Sequence, residues 1–256
     1  MGDLPASSFV DSPPKLDRLA ALFLDVDGTL LEIAGTPDLV RAPPKLPELL
    51  GDLGAQRGGA LALISGRPLA ELDRLFRPWC GAAAGVHGVE RRRVDGTFAG
   101  HTDVAAAVAL DQIRPRLTAF ACARSGLLLE DKHSALALHY RAAPERAAEV
   151  GALAETLCRQ AGSALRLIAG KMVVELQPRS TNKGAAIAAF MSEPPFLGRR
   201  CIFLGDDATD EDGFAEIARR GGVAIRVGEP AKTRAGYALP SVAAVLAWLA
   251  GDPPLG

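Results

Sequence analysis

The sequence predicts an α/β fold, a doubly wound parallel sheet interrupted by an inserted α/β cap domain. Three observations carry that expectation. Short apolar runs bounded by Gly, Ser or Asp recur at Leu22–Leu24, Ala60–Ile64, Ala82–Val86, Arg200–Leu204 and Val223–Val227, and such runs read as buried parallel strands. Helical patterns separate them, as βα alternation requires. From about Val104 to Pro178 the pattern changes to helix-strand-strand, twice over, which suits a small antiparallel sheet with helices on one side.

Taken in order, residues 1–17 are rich in Pro and Ser and are expected to form a flexible tail. Leu22-Phe-Leu24 delivers two carboxylates, Asp25 and Asp27, and Gly28 releases the chain into a turn. Pro43-Pro44 introduces a helix with Leu46, Leu49, Leu50 and Leu53 at helical spacing. Ala60–Ile64 ends in Ser65-Gly66-Arg67-Pro68, and Pro68 suits the first turn of a helix that buries Leu69, Leu72, Leu75 and Phe76. Ala82–Val86 closes on His87-Gly88, and Asp95-Gly96 between Glu90–Val94 and Thr97-Phe98 signals a hairpin.

The insert follows. A helix to about Ala123 leads into strand-like runs Gly126–Lys132 and Ser134–Arg141. A helix from Pro144 to about Ala161 leads into Ala164–Ile168 and Lys171–Gln177, with Gly170 at the turn. After Pro178 the βα alternation resumes: Lys183 opens a helix through Phe190, and Arg200–Leu204 runs into Gly205-Asp-Asp-Ala-Thr-Asp-Glu211. A helix to about Arg219, the strand Val223–Val227 and a final helix complete the chain. The expected division is a core of residues 18–103 and 180–256 with a cap of residues 104–179.

Composition narrows the function classes. At 256 residues and 48% hydrophobic, the chain can bury a large core. A net charge of -1 gives no electrostatic case for nucleic acid or an anionic membrane surface. Arg91-Arg92-Arg93 reads as a solvated strand edge. The 4 cysteines, Cys80, Cys122, Cys158 and Cys201, form no C-x-x-C and read as single buried residues of a reduced cytosolic protein. No apolar run approaches a membrane span, since Val242–Ala250 is too short. Asp3 and Asp11 with no basic leader argue against a secretory signal, and Ala6 removes the myristoylation pattern of Met1-Gly2. The expectation is a cytoplasmic monomer with no nucleic-acid or membrane partner.

Ligands in open α/β sheets bind at the carboxyl ends of the strands. Asp25 and Asp27, Ser65, Lys183, and Asp206, Asp207 and Asp210 all fall at strand ends or helix starts that can converge on one edge. A bare D-x-D-G serves equally well as a strand end with two solvated turn aspartates. Together, these carboxylates would raise one another's pKa unless a cation sits among them. Hard oxygens without His or Cys favour Mg²⁺. The Ser65 hydroxyl and Lys183 complement a substrate anion, and Gly28 and Thr29 offer further donors. Phosphoryl transfer to a carboxylate needs this set: phosphomonoester hydrolysis demands accelerations up to ~10²¹-fold. One aspartate can attack phosphorus while a second moves the protons, and Mg²⁺ with Lys neutralises the transferring group.

Asp25-Val-Asp-Gly-Thr29, Ser65, Lys183 and Gly205-Asp-Asp207 resemble, in order, the four motifs of haloacid dehalogenase (HAD)-type phosphatases, which implies a Rossmann-like HAD core. The resemblance implies Asp25 as nucleophile and metal ligand. It makes Asp27 the general acid/base, which lends its backbone carbonyl to the metal. Asp206 completes the Mg²⁺ site, with Asp207 and Asp210 as further candidates. Ala62-Leu-Ile-Ser-Gly-Arg67, Ala84-Gly-Val-His-Gly-Val-Glu90, Ala137-Leu-His-Tyr-Arg141, Gly170-Lys-Met-Val-Val-Glu-Leu-Gln-Pro178, Asn182-Lys-Gly184 and Phe203–Glu211 are similar to bacterial trehalose-6-phosphate phosphatases. The likeness runs over the whole chain after the tail. It implies hydrolysis of trehalose 6-phosphate to trehalose and phosphate, the last step of trehalose biosynthesis. Sucrose phosphate and mannosyl-3-phosphoglycerate are alternative substrates, and a non-catalytic sugar-phosphate sensor is an alternative of another class. There is no G-x-G-x-x-G after a strand and no Walker A motif.

In the cap, alternation puts Glu130 and Lys132 opposite Leu127 and Leu129, and His139 and Arg141 opposite Leu136 and Leu138. It likewise puts Lys171 and Glu175 opposite Met172, Val174 and Leu176. The charged face is either a solvated sheet surface or the polar side of a lid over a sugar. The resemblance favours Glu130, Lys132 and Glu175 as sugar contacts, with Arg141 and Lys171 after them. Arg67 beside Ser65 reads as a phosphate or sugar contact and His87 as a structural turn residue. His101 and His133 have no evident partners, and Trp79 and Trp248 read as core.

Overall fold

The computed structural model describes residues 13–33, 40–99, 103–229 and 232–251. Within them the chain runs β1 (Ala21–Leu24), α1 (Leu46–Gln56), β2 (Leu61–Ile64), α2 (Leu69–Leu75), β3 (Ala82–Gly85) and β4 (Glu90–Arg92). It continues through α3 (Val104–Cys122), β5 (Leu128–Asp131), β6 (Leu136–His139), α4 (Ala147–Gln160), β7 (Leu165–Gly170) and β8 (Val173–Pro178). It closes with α5 (Lys183–Phe190), β9 (Cys201–Gly205), α6 (Glu211–Arg219), β10 (Val223–Val227), β11 (Tyr237–Leu239) and α7 (Val242–Ala250).

Seven strands form one sheet in the order β11-β10-β9-β1-β2-β3-β4. All its pairs are parallel except β3 with β4. From β1 the chain winds outward to β4, and from β9, on the other side of β1, outward to β11. The order therefore reverses between β1 and β9, the switch point where such sheets bind ligands. Alternation along β1 divides the core: Leu22 and Leu24 pack with α1, α2 and α7, while Ala21 and Phe23 pack with α5 and α6. Phe23 stacks on Phe196 at 5.4 Å between ring centres.

Between β4 and α5 lies a second sheet, β5-β6-β8-β7, antiparallel throughout. Its register aligns Leu129, Leu138 and Val174, and next to them Leu136, Leu176 and Leu167. These residues make one core with Leu110, Ile113 and Leu117 of α3 and Val150, Ala154 and Leu157 of α4. Side-chain oxygens cap the starts of α3 and α5: Asp103 accepts from Ala106 N at 2.9 Å, and Asn182 from Ala185 N at 2.7 Å. No helix among the described residues is long and apolar enough to cross a membrane.

Several expectations need correction. Arg91–Arg93 does form a sheet edge, but not a solvated one. Arg92 is buried with its guanidinium 2.8 Å from Asp73, while Arg91 and Arg93 both pair with Glu193. Antiparallel β4 alternates its side chains toward the two helical layers, and each layer presents a carboxylate. Of the cysteines only Cys201 is buried; Cys158 is half-buried, Cys80 and Cys122 are exposed, and all four are free thiols. The Asp95-Gly96 hairpin is short, a turn with a single bridge, Arg92 to Phe98, on the edge of β4 away from β3. β7 reaches Gly170, so Lys171 and Met172 form the turn and β8 starts at Val173. Trp248 is core and donates to Pro14 O at 3.1 Å, whereas Trp79 is half-buried and packs edge-on against Phe76. β11 is a three-residue edge strand with no apolar run to announce it. Residues 1–12 of the expected tail, and His101, lie outside the described residues.

Candidate active site

The site is built from the ends of β1 and β9. Asp25 follows β1 directly, tied to the neighbouring strand by its N–H to Leu204 O at 3.0 Å. The next turn folds back on itself, with the N–H groups of Thr29, Leu30 and Leu31 all donating to Val26 O. The Asp27 carbonyl accepts none of these bonds. Gly28 sits at φ +81°, and a Cβ there would lie 2.0 Å from Asp206 Oδ2. Glycine is required both by its left-handed backbone and by the approach of Asp206.

Lys183 Nζ bridges the two strand ends, 2.7 Å from Asp25 Oδ1 and 2.7 Å from Asp210 Oδ1. It can do so because it is the first residue of α5 and is itself buried. Asp210 Oδ2 accepts the N–H groups of both Asp206 and Asp207, each at 3.0 Å. The Asp207 carboxylate turns to Thr209, accepting its N–H at 2.8 Å and its hydroxyl at 2.6 Å. Among the described residues no donor reaches the Asp206 carboxylate.

The charges follow from this packing. Burial, opposed by Lys183 and reinforced by Asp206 and Asp207, pushes the Asp25 carboxyl up to about 7. Burial and then the neighbouring Asp207 and Asp210 push Asp206 to about 7 as well. Lys183, although burial pulls it down, is held protonated by Asp210 and Asp25. Asp207 is likewise disfavoured as an anion by burial but is kept below its ordinary value by Lys183 and the Thr209 bonds.

A cation fits this set. Oxygens of Asp25, Asp206 and Asp210 lie within 4.8 Å of one another. All the donors are hard carboxylate oxygens, and a positive charge between Asp25 and Asp206 would relieve the repulsion that raises both. Asp25 and Asp206 have oxygens free to bind it; both oxygens of Asp210 are already engaged by Lys183 and the backbone. One oxygen of Asp207 is taken up by Thr209.

Ser65 is buried at the end of β2, its Oγ accepting from Arg67 N at 3.1 Å, which leaves the hydroxyl proton free to donate. Arg67 grips Asp27 with both arms of its fork, Nε to Oδ2 and Nη2 to Oδ1, each 2.7 Å, and holds Glu71 with Nη1 at 2.9 Å. Burial works against the Arg67 charge, but the Asp27 and Glu71 bonds prevail and raise its pKa. Pattern reading did not find the Arg67–Asp27 pair: the residues are 40 positions apart.

The polar face of the second sheet meets this edge. Glu130, Ala137 and Glu175 are aligned across β5, β6 and β8. Lys132 Nζ lies 2.9 Å from Glu175 Oε2, and His139 Nε2 lies 2.9 Å from Glu130 Oε2. Burial disfavours the Lys132 charge, but Glu175, Glu130 and, more weakly, Asp27 across the gap raise its pKa. Glu175 reaches the first sheet directly, with Oε1 3.5 Å from His87 Nε2. Beside it, Arg166 of β7 binds Asp212 of α6 at 2.8 Å. The charged face is therefore turned toward the carboxyl ends of the first sheet and is not a solvated surface. Arg141 and Lys171 stand apart from it, both exposed, with Arg141 donating to the Lys171 carbonyl at 3.3 Å. His87, read from sequence as a turn residue, is buried between the two sheets; His133 is exposed, and its carbonyl accepts from Arg114 at 3.0 Å.

Comparison with known proteins bears on the family of the chain. A family model described as trehalose-phosphatase matches residues 23–242. A protein named probable trehalose-phosphate phosphatase from Sinorhizobium fredii is 47% identical over 210 residues, 82% of this chain and 78% of that one. The trehalose-6-phosphate phosphatase of Escherichia coli is 45% identical over 237 residues, 92% of this chain and 87% of that one. The crystal structure of a trehalose-6-phosphate phosphatase related protein superposes with a TM-score of 0.75 at 27% identity, covering 90% of this chain and 95% of that one. A haloacid dehalogenase-like hydrolase from Bacteroides thetaiotaomicron shares the fold with a TM-score of 0.61 at 16% identity, covering 88% and 95%.

Proposed function

The chain belongs to the trehalose-phosphatase family, and from that premise we propose that it hydrolyses trehalose 6-phosphate to trehalose and phosphate, with Asp25 as the acceptor of the phosphoryl group. One observation supports this above the others. A buried carboxylate at the switch point is paired to a buried lysine, with Asp206 beside it and the hydroxyl-bearing loop Ser65-Gly66-Arg67 on the next strand. A solvated turn aspartate has no use for such surroundings.

In the proposed cycle an Asp25 oxygen attacks phosphorus and the P–O bond to the sugar breaks. The sugar oxygen takes its proton from Asp27, and the phosphoryl group rests on Asp25 as an aspartyl-phosphate. Asp27 then takes a proton from the water that releases phosphate. Both Asp27 oxygens lie in the Arg67 fork, so Asp27 meets the leaving oxygen through a remaining lone-pair site or by exchanging one of those bonds. Lys183 and the Ser65 hydroxyl bind phosphate oxygens, while Asp210 holds Lys183 and the Asp206–Asp207 turn in place. Asp25, Asp206 and the Asp27 carbonyl would hold a Mg²⁺ ion. When bound, that ion supplies charge neutralisation for the transferring group.

Residues 104–179 serve in this reading as a cap that closes over the disaccharide and excludes water. Glu130, Lys132 and Glu175 bind sugar hydroxyls, and Arg141 and Lys171 guard the rim. The protein works as a cytoplasmic monomer on a small-molecule substrate, with no nucleic-acid or membrane partner. Phosphate release from trehalose 6-phosphate beside a panel of sugar phosphates, with and without Mg²⁺, tests the proposal. Preference for sucrose phosphate or mannosyl-3-phosphoglycerate would overturn the substrate. Release that survives Asp25→Ala would overturn the mechanism, and no release from any substrate would favour a sensor.

A further inference from the structure

His87 is a buried polar group that the chemistry above does not use. Val86 and His87 both adopt left-handed backbone, φ +46° and +53°, inside the short turn Val86–Gly88. Such backbone is uncommon outside glycine, and at a β-branched residue it persists only where the surroundings impose it. Here they do. His87 N donates to Ser65 O at 2.9 Å, and Gly88 comes against Ala186 of α5. The outcome is a His87 only 6% exposed, its imidazole lying in the space that a side chain at position 66 would fill. A Cβ on Gly66 would stand 2.7 Å from His87 Nε2.

The ring is incompletely satisfied. His87 Nδ1 has no hydrogen-bond partner among the described residues, and neither has Glu175 Oε1, which faces the other ring nitrogen, Nε2, from the second sheet. Buried polar groups are almost always paired, so an orphaned carboxylate oxygen facing an imidazole across this interface calls for a missing partner. The other Glu175 oxygen is held by Lys132 at 2.9 Å, which sets the carboxylate's orientation in advance.

Resting on the reading that trehalose 6-phosphate is the substrate and residues 104–179 close over it, we propose that His87 is a specificity-determining residue. Its ring and the Glu175 carboxylate hold one sugar hydroxyl between them, one partner from each sheet. Nε2 and Oε1 are 3.5 Å apart, and two atoms at that spacing can both lie about 2.8 Å from a third. A hydroxyl suits them because it donates to the carboxylate while accepting from the ring N–H. An anionic oxygen would be repelled by Glu175. A phosphoester without the sugar leaves both atoms unpaired on closure, so the pair discriminates by what it lacks.

The test compares phosphate release from trehalose 6-phosphate and from p-nitrophenyl phosphate by the wild type, His87→Asn and His87→Gln. Asparagine tolerates left-handed backbone, so His87→Asn removes the ring with little added strain. The expected result is a kcat/KM loss on trehalose 6-phosphate at least tenfold larger than on p-nitrophenyl phosphate, carried mainly by KM. His87→Gln, which can still present an amide N–H, should lose less. Equal losses on both substrates, or no loss on either, overturn the assignment. A wild type with no preference for trehalose 6-phosphate overturns the parent reading and the assignment with it; a preference left intact in His87→Asn overturns the assignment alone. Should the variants fail to fold, ¹⁵N-imidazole spectra of the wild type titrated with trehalose give the same decision. Movement of the His87 ring resonance supports the contact, and a ring unmoved by saturating trehalose refutes it.

Discussion

Replacing Asp210 by Asn separates two roles for that residue. The carboxylate accepts from Lys183 on one oxygen and from two backbone N–H groups on the other. An amide of the same shape has a single acceptor oxygen, so Asp210→Asn must abandon either Lys183 or the Asp206–Asp207 turn, and its NH₂ then faces donors. Leaving a buried donor unsatisfied costs about 1–3 kcal/mol, and removing one partner of a buried ion pair costs about 3–5 kcal/mol. Lys183 keeps Asp25 as a partner, which favours the lower half of the combined range, about 3 kcal/mol. At roughly 2–4 °C per kcal/mol for a chain of this size, the melting temperature falls by about 6–12 °C. The assay is thermal and urea unfolding in excess EDTA, so that no metal contributes, beside Mg²⁺ titrations of phosphate release. The position of Asp210 predicts lost stability without metal and a fall in kcat. Unchanged unfolding in EDTA, with only a higher Mg²⁺ half-saturation, would refute it and make Asp210 a direct ligand.

Other consequences are open to measurement. Gly28→Ala should cost about 1–2 kcal/mol from its left-handed backbone and displace Asp206, raising the Mg²⁺ half-saturation; a variant with wild-type Mg²⁺ dependence would contradict the contact. Mg²⁺ should raise the melting temperature of the wild type by mass action and leave that of Asp206→Asn nearly unmoved, as read by calorimetry. Glu130→Ala and Glu175→Ala should weaken turnover of trehalose 6-phosphate roughly tenfold or more beyond any loss on a small phosphoester, and equal losses would return both to a structural role. Glu175 is pushed up by burial but held well below the ordinary carboxylate range by Lys132 and His87. Its depressed folded pKa means that its contribution to stability is complete above the unfolded value near ~4.3 and is lost as pH falls below it. Urea midpoints between about pH 6 and pH 3 should therefore fall less steeply in Glu175→Gln than in the wild type.

Much of the architecture was legible because it is local. Apolar runs at Leu22, Leu61 and Cys201 mark strands whose both faces are buried, and the breakers after them mark where Asp25, Ser65 and Asp206 emerge. The alternation that sets Glu130 and Glu175 against Leu129 and Val174 held in the register of β5 and β8, since a strand's period is a property of the backbone. Periodicity failed where pairing was decided by another element. Arg91–Arg93 carries the pattern of a wet edge until Asp73 and Glu193 arrive from either side. Tyr237–Leu239 is a strand because β10 offers it an edge.

The sequence by itself determined the Asp25 carboxylate, Lys183 and the strand ends that carry them, because residue type and strand position are both written along the chain. Tertiary structure alone decided the partnerships: Arg67 in a fork on Asp27, Asp210 engaged by Lys183 and two N–H groups, Asp207 bonded to Thr209, and His87 driven by left-handed backbone against Glu175. Those contacts join residues from separate turns of the winding, where spacing along the chain carries no distance in space. Which of several nearby carboxylates is free to bind a cation depends on which have already been claimed.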